Sequence, residues 1–316
     1  MSSMTKLIRN ENMKIYRRPR TWAMIGILML AIGLMSWALK HDENKSDPNW
    51  QQQLTQQNAH MQQNLQEGKN LDASDKEQIQ NAIKLNEYYI AHDINPHKLS
   101  LWSYVNTSAS LIILVTLLTV IIAADMIAAE FSWGTIKLLL VGPASRTKVM
   151  MSKYIAVMGF ALLLLLLAFA AAFTAGGILS GFSGLSLPNV TILNGVIHEG
   201  SMIVNALQKY GFAVVSLLMY VTMAFMISSA FRSSSMAIAF SLLFMLLGNS
   251  LSEFFHAYDW VKYLLFSNVD LTQYLAGSAP LRPEMTMSFS ILMLVAYYVV
   301  FQFIAWLLFT KRDVAA

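Results

Sequence analysis

Six stretches of this chain carry no Asp, Glu, Lys, Arg or His near their middle and are long enough to cross a membrane, at 21–39, 101–127, 150–175, 209–231, 233–252 and 285–310. About 30 Å of hydrocarbon needs roughly 17–25 helical residues. Inside lipid every backbone N–H and C=O must be satisfied within its own segment, so each stretch is expected as a helix. Composition agrees, because only 13% of the residues are charged, where a water-facing chain has about 25%. The uncharged character of the third stretch continues to Ile197, but Gly176, Gly177, Gly181, Gly184 and Pro188 predict that its helix ends near Ala175. The first stretch follows a long basic segment and lacks a small-residue cleavage site, so it reads as a retained span. The expected fold is an all-α polytopic membrane protein with six transmembrane helices.

Charge sets the expected orientation. Segments 1–20, 125–153, Arg232 and 311–316 hold 13 of the 22 basic residues against four acids, Glu11, Asp125, Glu130 and Asp313. The remainder holds 9 basic and 14 acidic residues. Lys and Arg near span ends stay on the cytoplasmic side, so both termini are expected inside. Residues 1–20 interleave Leu7, Ile8, Ile15 and Tyr16 with basic residues, the pattern of a helix lying on an anionic inner leaflet. The tail at 311–316 is expected inside as well.

Three extracytoplasmic segments follow from that orientation. Residues 40–100 are polar and Gln-rich, and the spacing of Leu54, Met61, Leu65, Ile79 and Ile83 predicts two amphipathic helices, a hairpin broken near 68–74. Residues 176–208 read as a Gly/Ser-rich loop. Residues 253–284 concentrate Phe254, Phe255, Tyr258, Trp260, Tyr263, Phe266 and Tyr274, which suits a membrane interface and predicts a re-entrant or interfacial helix pair.

Several chemistries lack their residues. There is no cysteine, hence no disulfide or thiolate metal site. No G-x-x-x-x-G-K-[ST] loop is present, so this chain has no phosphate loop for ATP. No hydrolase motif stands at a span end, and no catalytic residue, metal ligand set or nucleic-acid surface is expected. Spans without midplane charge argue against an ion-gradient carrier. Asp125 is read as a carboxylate at a helix end, and the six histidines match no ligand spacing.

The informative segment is the cytoplasmic loop at 128–149. A short helix is expected from Thr135, stopped by Gly142-Pro143, with Ser145 placed to cap the next helix and Arg146, Lys148 and Lys153 at the inner surface. The run Glu130-Phe131-Ser132-Trp133-Gly134-Thr135-Ile136-Lys137-Leu138-Leu139-Leu140, followed by Pro143 and Ser145-Arg146, resembles the coupling-helix region of ABC-2 type transporter permeases. The Asn10-Glu11 opening with its basic residues, the aromatic segment before the last span and the terminal Lys311-Arg312-Asp313 are similar to that family too. The large segment at 40–100 departs from its compact members. The resemblance implies an export permease without enzymatic activity, in a bacterial cell membrane. It also implies a second permease subunit, identical or related, and a separate ATPase that binds ATP and magnesium. Glu130, Phe131, Trp133, Gly134, Thr135, Lys137, Pro143, Ser145 and Arg146 would form the ATPase-coupling interface. Leu/Ala/Met-rich spans with Gly159, Ser216, Ser228 and Ser229 fit a hydrophobic or amphiphilic cargo such as a drug, antimicrobial peptide or lipid-like molecule. Two alternatives stand beside this reading: a membrane sensor or scaffold without transport, and a sodium-type ion exporter of the same family.

Overall fold

A computed structural model describes residues 4–45, 49–67, 73–136, 144–182, 187–193 and 195–311. The protein is mostly helical, and six of its helices are long and apolar enough to cross a membrane: Pro19–Glu43, Leu101–Ser132, Arg146–Ser180, Met202–Ala230, Ser234–Phe254 and Met287–Lys311. In chain order the helices are α1 (Met4–Tyr16), α2 (Pro19–Lys45), α3 (Trp50–Glu67), α4 (Ala73–Ala91), α5 (Leu101–Ser108), α6 (Ile112–Ser132), α7 (Arg146–Ser180), α8 (Met202–Ala230), α9 (Ser234–Phe254), α10 (Leu265–Val269) and α11 (Met287–Lys311). A 3-10 turn at Ala109–Leu111 joins α5 to α6. Contacts divide the chain into two units, one of Met1–Ile32, Ser108–Ala171 and Gln208–Ala316, the other of Gly33–Thr107 and Ala172–Leu207.

In the first unit α6 is the core helix. Val115, Val120, Ala123, Ala124, Ile127 and Ala128 are buried along it, and its small residues admit the α9 helix that packs beside it. The α1 helix is amphipathic, and Glu11 and Ile15, one turn apart, form its buried stripe. Pro19 opens α2 at the position where a missing N–H costs nothing. Segment 253–284 is built as three short helical turns, Asp259–Tyr263, Leu265–Val269 and Leu271–Tyr274, and not as the expected helix pair. Side chains reaching the backbone hold it folded that tightly. Asn268, fully buried, donates to the carbonyls of Lys262 (2.8 Å) and Leu264 (2.7 Å) and accepts from Ser290 Oγ (2.7 Å).

In the second unit α3 and α4 pack together around Leu54 and Ile83. Asn58 between them accepts from Asn86 Nδ2 at 2.8 Å. The glycines at 176–177 do not end the third spanning helix near Ala175, as the sequence led us to expect. The helix continues to Ser180, and a Cβ on Gly176 would stand 3.1 Å from the Leu101 carbonyl oxygen and 3.3 Å from Tyr104 Cβ. Gly176 therefore serves close helix approach, and the left-handed residue past the helix end is Gly181, at φ +64°. The expected loop at 176–208 also holds a β-ribbon. Strands β1 (Pro188–Leu193) and β2 (Val196–Ser201) pair antiparallel from Pro188↔Ser201 to Leu193↔Val196. Lys84 Nζ on α4 donates to the Gly195 carbonyl (3.4 Å), and the Tyr88 hydroxyl to Glu199.

Candidate functional site: a buried charge joint at the end of α6

The last two turns of α6 carry Asp125 and Glu130, 2% and 7% exposed, and Lys153 on α7 is 1% exposed. Isolated charges buried this deeply cost several kcal/mol each, so they persist only when paired. All three are paired, and all lie within the first unit. Lys153 Nζ donates to Glu130 (2.8 Å) and to Glu11 of α1 (2.9 Å). Lys14, one turn after Glu11, reaches the same two carboxylates at 2.8 Å (Glu130) and 3.2 Å (Glu11). Two ammonium groups and two carboxylates thus alternate in a closed quartet. Burial by itself lowers the pKa of Lys14, but the hydrogen bond to Glu130 and the charges of Glu11 and Glu130 outweigh it and raise the value above that of an ordinary lysine.

One turn earlier on α6, Asp125 accepts from Arg18 at 2.7 Å, from Arg20 and from the Ser234 hydroxyl. Asp125, expected as a carboxylate at a helix end, lies about two turns before the end of α6 at Ser132 and is fully engaged. The turn before α9 is stitched to α6 as well. Ser228 Oγ accepts from the N–H groups of Ile127 and Ala128 (3.0 Å each), and Ser132 Oγ accepts from Ser234 N–H (3.0 Å) and donates to the Arg232 carbonyl (3.2 Å). Across the loop, Arg146 at the start of α7 donates to the Thr310 carbonyl (2.8 Å), and Trp306 of α11 donates its indole N–H to Thr147 (3.1 Å).

The expected interface residues do not share one environment. Glu130 is not presented outward; it is buried in the quartet and also accepts from Thr135. Trp133 and Gly134 are exposed: Trp133 stacks under the Arg18 guanidinium at 4.6 Å, and Gly134 takes φ +70°, which ends α6 in the left-handed region. Ser145, expected as a helix cap, accepts from Lys148 N–H at 3.4 Å. Phe131 is half-buried and Arg146 is tied to α11 as above. Lys137, Pro143 and most of the expected short helix from Thr135 lie outside the described residues. Lys153, expected at the inner surface, is buried within the protein, where Glu11 and Glu130 supply the charge that holds it.

The quartet leaves a void of about 10 Å³, which is room for about one water. No set of three metal-ligating side chains stands together among the described residues. The arrangement is a joint between helices, not a binding pocket. Reasoning from sequence missed Glu11, Lys14, Arg18, Arg20 and Lys153 as site residues. A signal existed, since the strongly basic side of the chain holds only four acids and three of them are the carboxylates of this joint.

Comparison with known proteins places the chain among related sequences. It is 43% identical, over 99% of its length and all of the relative's, to the "Uncharacterized protein YhcI" of Bacillus subtilis strain 168. It is 33% identical to the "Uncharacterized membrane protein YdbK" of the same organism, over 67% of this chain and 82% of that one. A family model described as "Protein of unknown function (DUF2705)" matches residues 76–315. Three quarters of the chain lie within that match, and the protein belongs to the DUF2705 family.

Proposed function

We propose that this protein is the membrane subunit of an ATP-driven exporter, powered by a separate ATPase that docks on the cytoplasmic loop after α6. The similarity of Glu130–Arg146 to ABC-2 permease coupling regions supports the reading, as do the six apolar helices and the absence of a phosphate loop from the sequence. The observation that carries it is mechanical. The loop between α6 and α7 is tied at its base, through hydrogen bonds of 3.2 Å or less, to α1, to the α8–α9 turn and to α11. A push on this loop therefore reaches several helices together. To exchange two conformers nearly completely, the ATP-bound partner must favour one by about 5.5 kcal/mol. The apolar walls suit a hydrophobic or amphiphilic cargo, and a second permease subunit would complete the pathway.

The test is reconstitution. The tagged chain is purified from its native membrane, an ATPase subunit carrying a phosphate loop is identified by mass spectrometry, and both are placed in liposomes. The proposal expects ATP-dependent flux of an amphiphilic dye, and a bulky Gly134→Val substitution that uncouples hydrolysis from flux. ATP turnover indifferent to this chain, or flux that persists after ATP depletion with ion gradients held constant, would overturn it.

A further inference from the structure

The second unit contains a cavity of about 340 Å³ where the ends of α3 and α4 meet the chain entering α5. Its wall includes Trp50, Asp93, Ile94, Lys98, Leu99 and Leu187. This size falls in the range of small-molecule sites, which run from about 300 to 1,000 Å³ and combine apolar walls with a few polar groups. Here the polar groups have opposite sign. The Lys98 ammonium has no ion pair among the described residues, and the Asp93 carboxylate has no cationic partner there either, only a hydrogen bond from Gln51 Nε2 at 2.9 Å.

Asp93 also carries a local cost at its place, one that glycine would avoid and that Asp bears better than most residues. It takes φ +52°, and no other non-glycine described residue has a positive φ. It follows the C-terminus of α4, where Ile94 N–H bonds back to the Tyr89 carbonyl at 3.0 Å. That position favours glycine, and the negative end of the helix disfavours a carboxylate. Two local costs at one residue, beside a cavity, are what a functional side chain imposes.

We propose that this cavity binds a small zwitterion with an aliphatic body, of dipeptide size. Asp93 takes the ammonium group, Lys98 takes the carboxylate, and Trp50, Ile94 and Leu187 cover the side chains. The site does not depend on the exporter reading, because binding is measured on the purified full-length chain in lipid nanodiscs without any ATPase.

The probe is dileucine, followed by isothermal titration calorimetry, with N-acetyl-dileucine and dileucine amide as charge-deleted controls. Saturable binding of dileucine is expected, weakened at least tenfold by either blocking group. Lys98→Gln should lose the discrimination against dileucine amide, and Asp93→Asn the discrimination against N-acetyl-dileucine. Asp93→Gly removes both local costs, so it should melt no lower than the parent while losing at least tenfold in affinity, which separates lost binding from lost folding. No saturable binding of dileucine, or binding indifferent to the blocking groups and to these substitutions, overturns the proposal.

Discussion

Lys153→Met is the sharpest perturbation of the charge joint. It removes the ammonium between Glu11 and Glu130, at 2.9 and 2.8 Å, from a position 1% exposed, while a methionine of similar volume keeps the packing. Taking one partner from a buried pair costs about 3–5 kcal/mol, chiefly because the remaining charge stays desolvated. Lys14 still reaches both carboxylates, and it is 36% exposed, so it offsets part of the loss. The lower end, about 3 kcal/mol, is the expected cost, corresponding to a fall of roughly 4–5 °C in melting midpoint for a chain of this length. Lys14→Met should cost about 1 kcal/mol, since an exposed pair is worth little, and Lys148→Met, at an exposed position, should cost nearly nothing. The triple change Lys153→Met, Glu11→Gln, Glu130→Gln should recover most of the stability, because neither buried carboxylate is then charged and the Lys14 ammonium, 36% exposed, keeps contact with water. The assay is thermal unfolding of the purified protein in nanodiscs, with all variants at one scan rate. A Lys153→Met variant no less stable than Lys14→Met, or a triple variant worse than the single, would refute the reasoning.

Other consequences are simpler to check by the same melts. Gly134 has φ +70° and nothing among the described residues within 4 Å of its missing Cβ, so Gly134→Ala should cost about 1–2 kcal/mol from backbone strain and Gly134→Asn less. A Cβ on Gly248 of α9 would collide with the Phe266 ring of α10, so Gly248→Ala should cost about 1–3 kcal/mol and Phe266→Leu should relieve part of it. The Arg282 hydrogen bond, with help from its own backbone N–H, holds the Glu284 carboxyl at about 2, below its ordinary 4.5. The folded state then binds that proton later than the unfolded one, so the contribution is complete above pH 4.5 and fades as pH falls toward 2. Arg282→Gln should flatten the loss of stability across that window, and an unchanged slope would count against the pairing.

What the sequence made legible follows from range. Six helices long and apolar enough to cross a membrane are a local property of apolar length, and they were readable. The two helices at 50–91 were readable from the spacing of Leu54 and Ile83. Local signals also misled. Gly176 looks like a helix stop but lets Leu101 and Tyr104 approach, a contact that no local pattern encodes. The β-ribbon was there to be read: β-branched Val190, Thr191, Ile192, Val196 and Ile197 flank Asn194-Gly195, the strongest hairpin dipeptide. The charge joint was harder, because Lys153 and Glu11 are 142 residues apart and Lys14 and Glu130 are 116 apart. Only the scarcity of acids on the basic side pointed toward it. The burial of Glu130 was not legible, because the expected loop began at 128, whereas α6 continues to Ser132 and buries that carboxylate.

The account depends most on where the α6–α7 loop faces, because an ATPase can act only on a loop that the cytosol reaches. The chain has no cysteine, so Trp133→Cys, at a position 63% exposed, introduces a single reporter thiol. A membrane-impermeant maleimide should label it in inside-out vesicles and leave it untouched in intact cells. Labelling from outside intact cells would contradict the account.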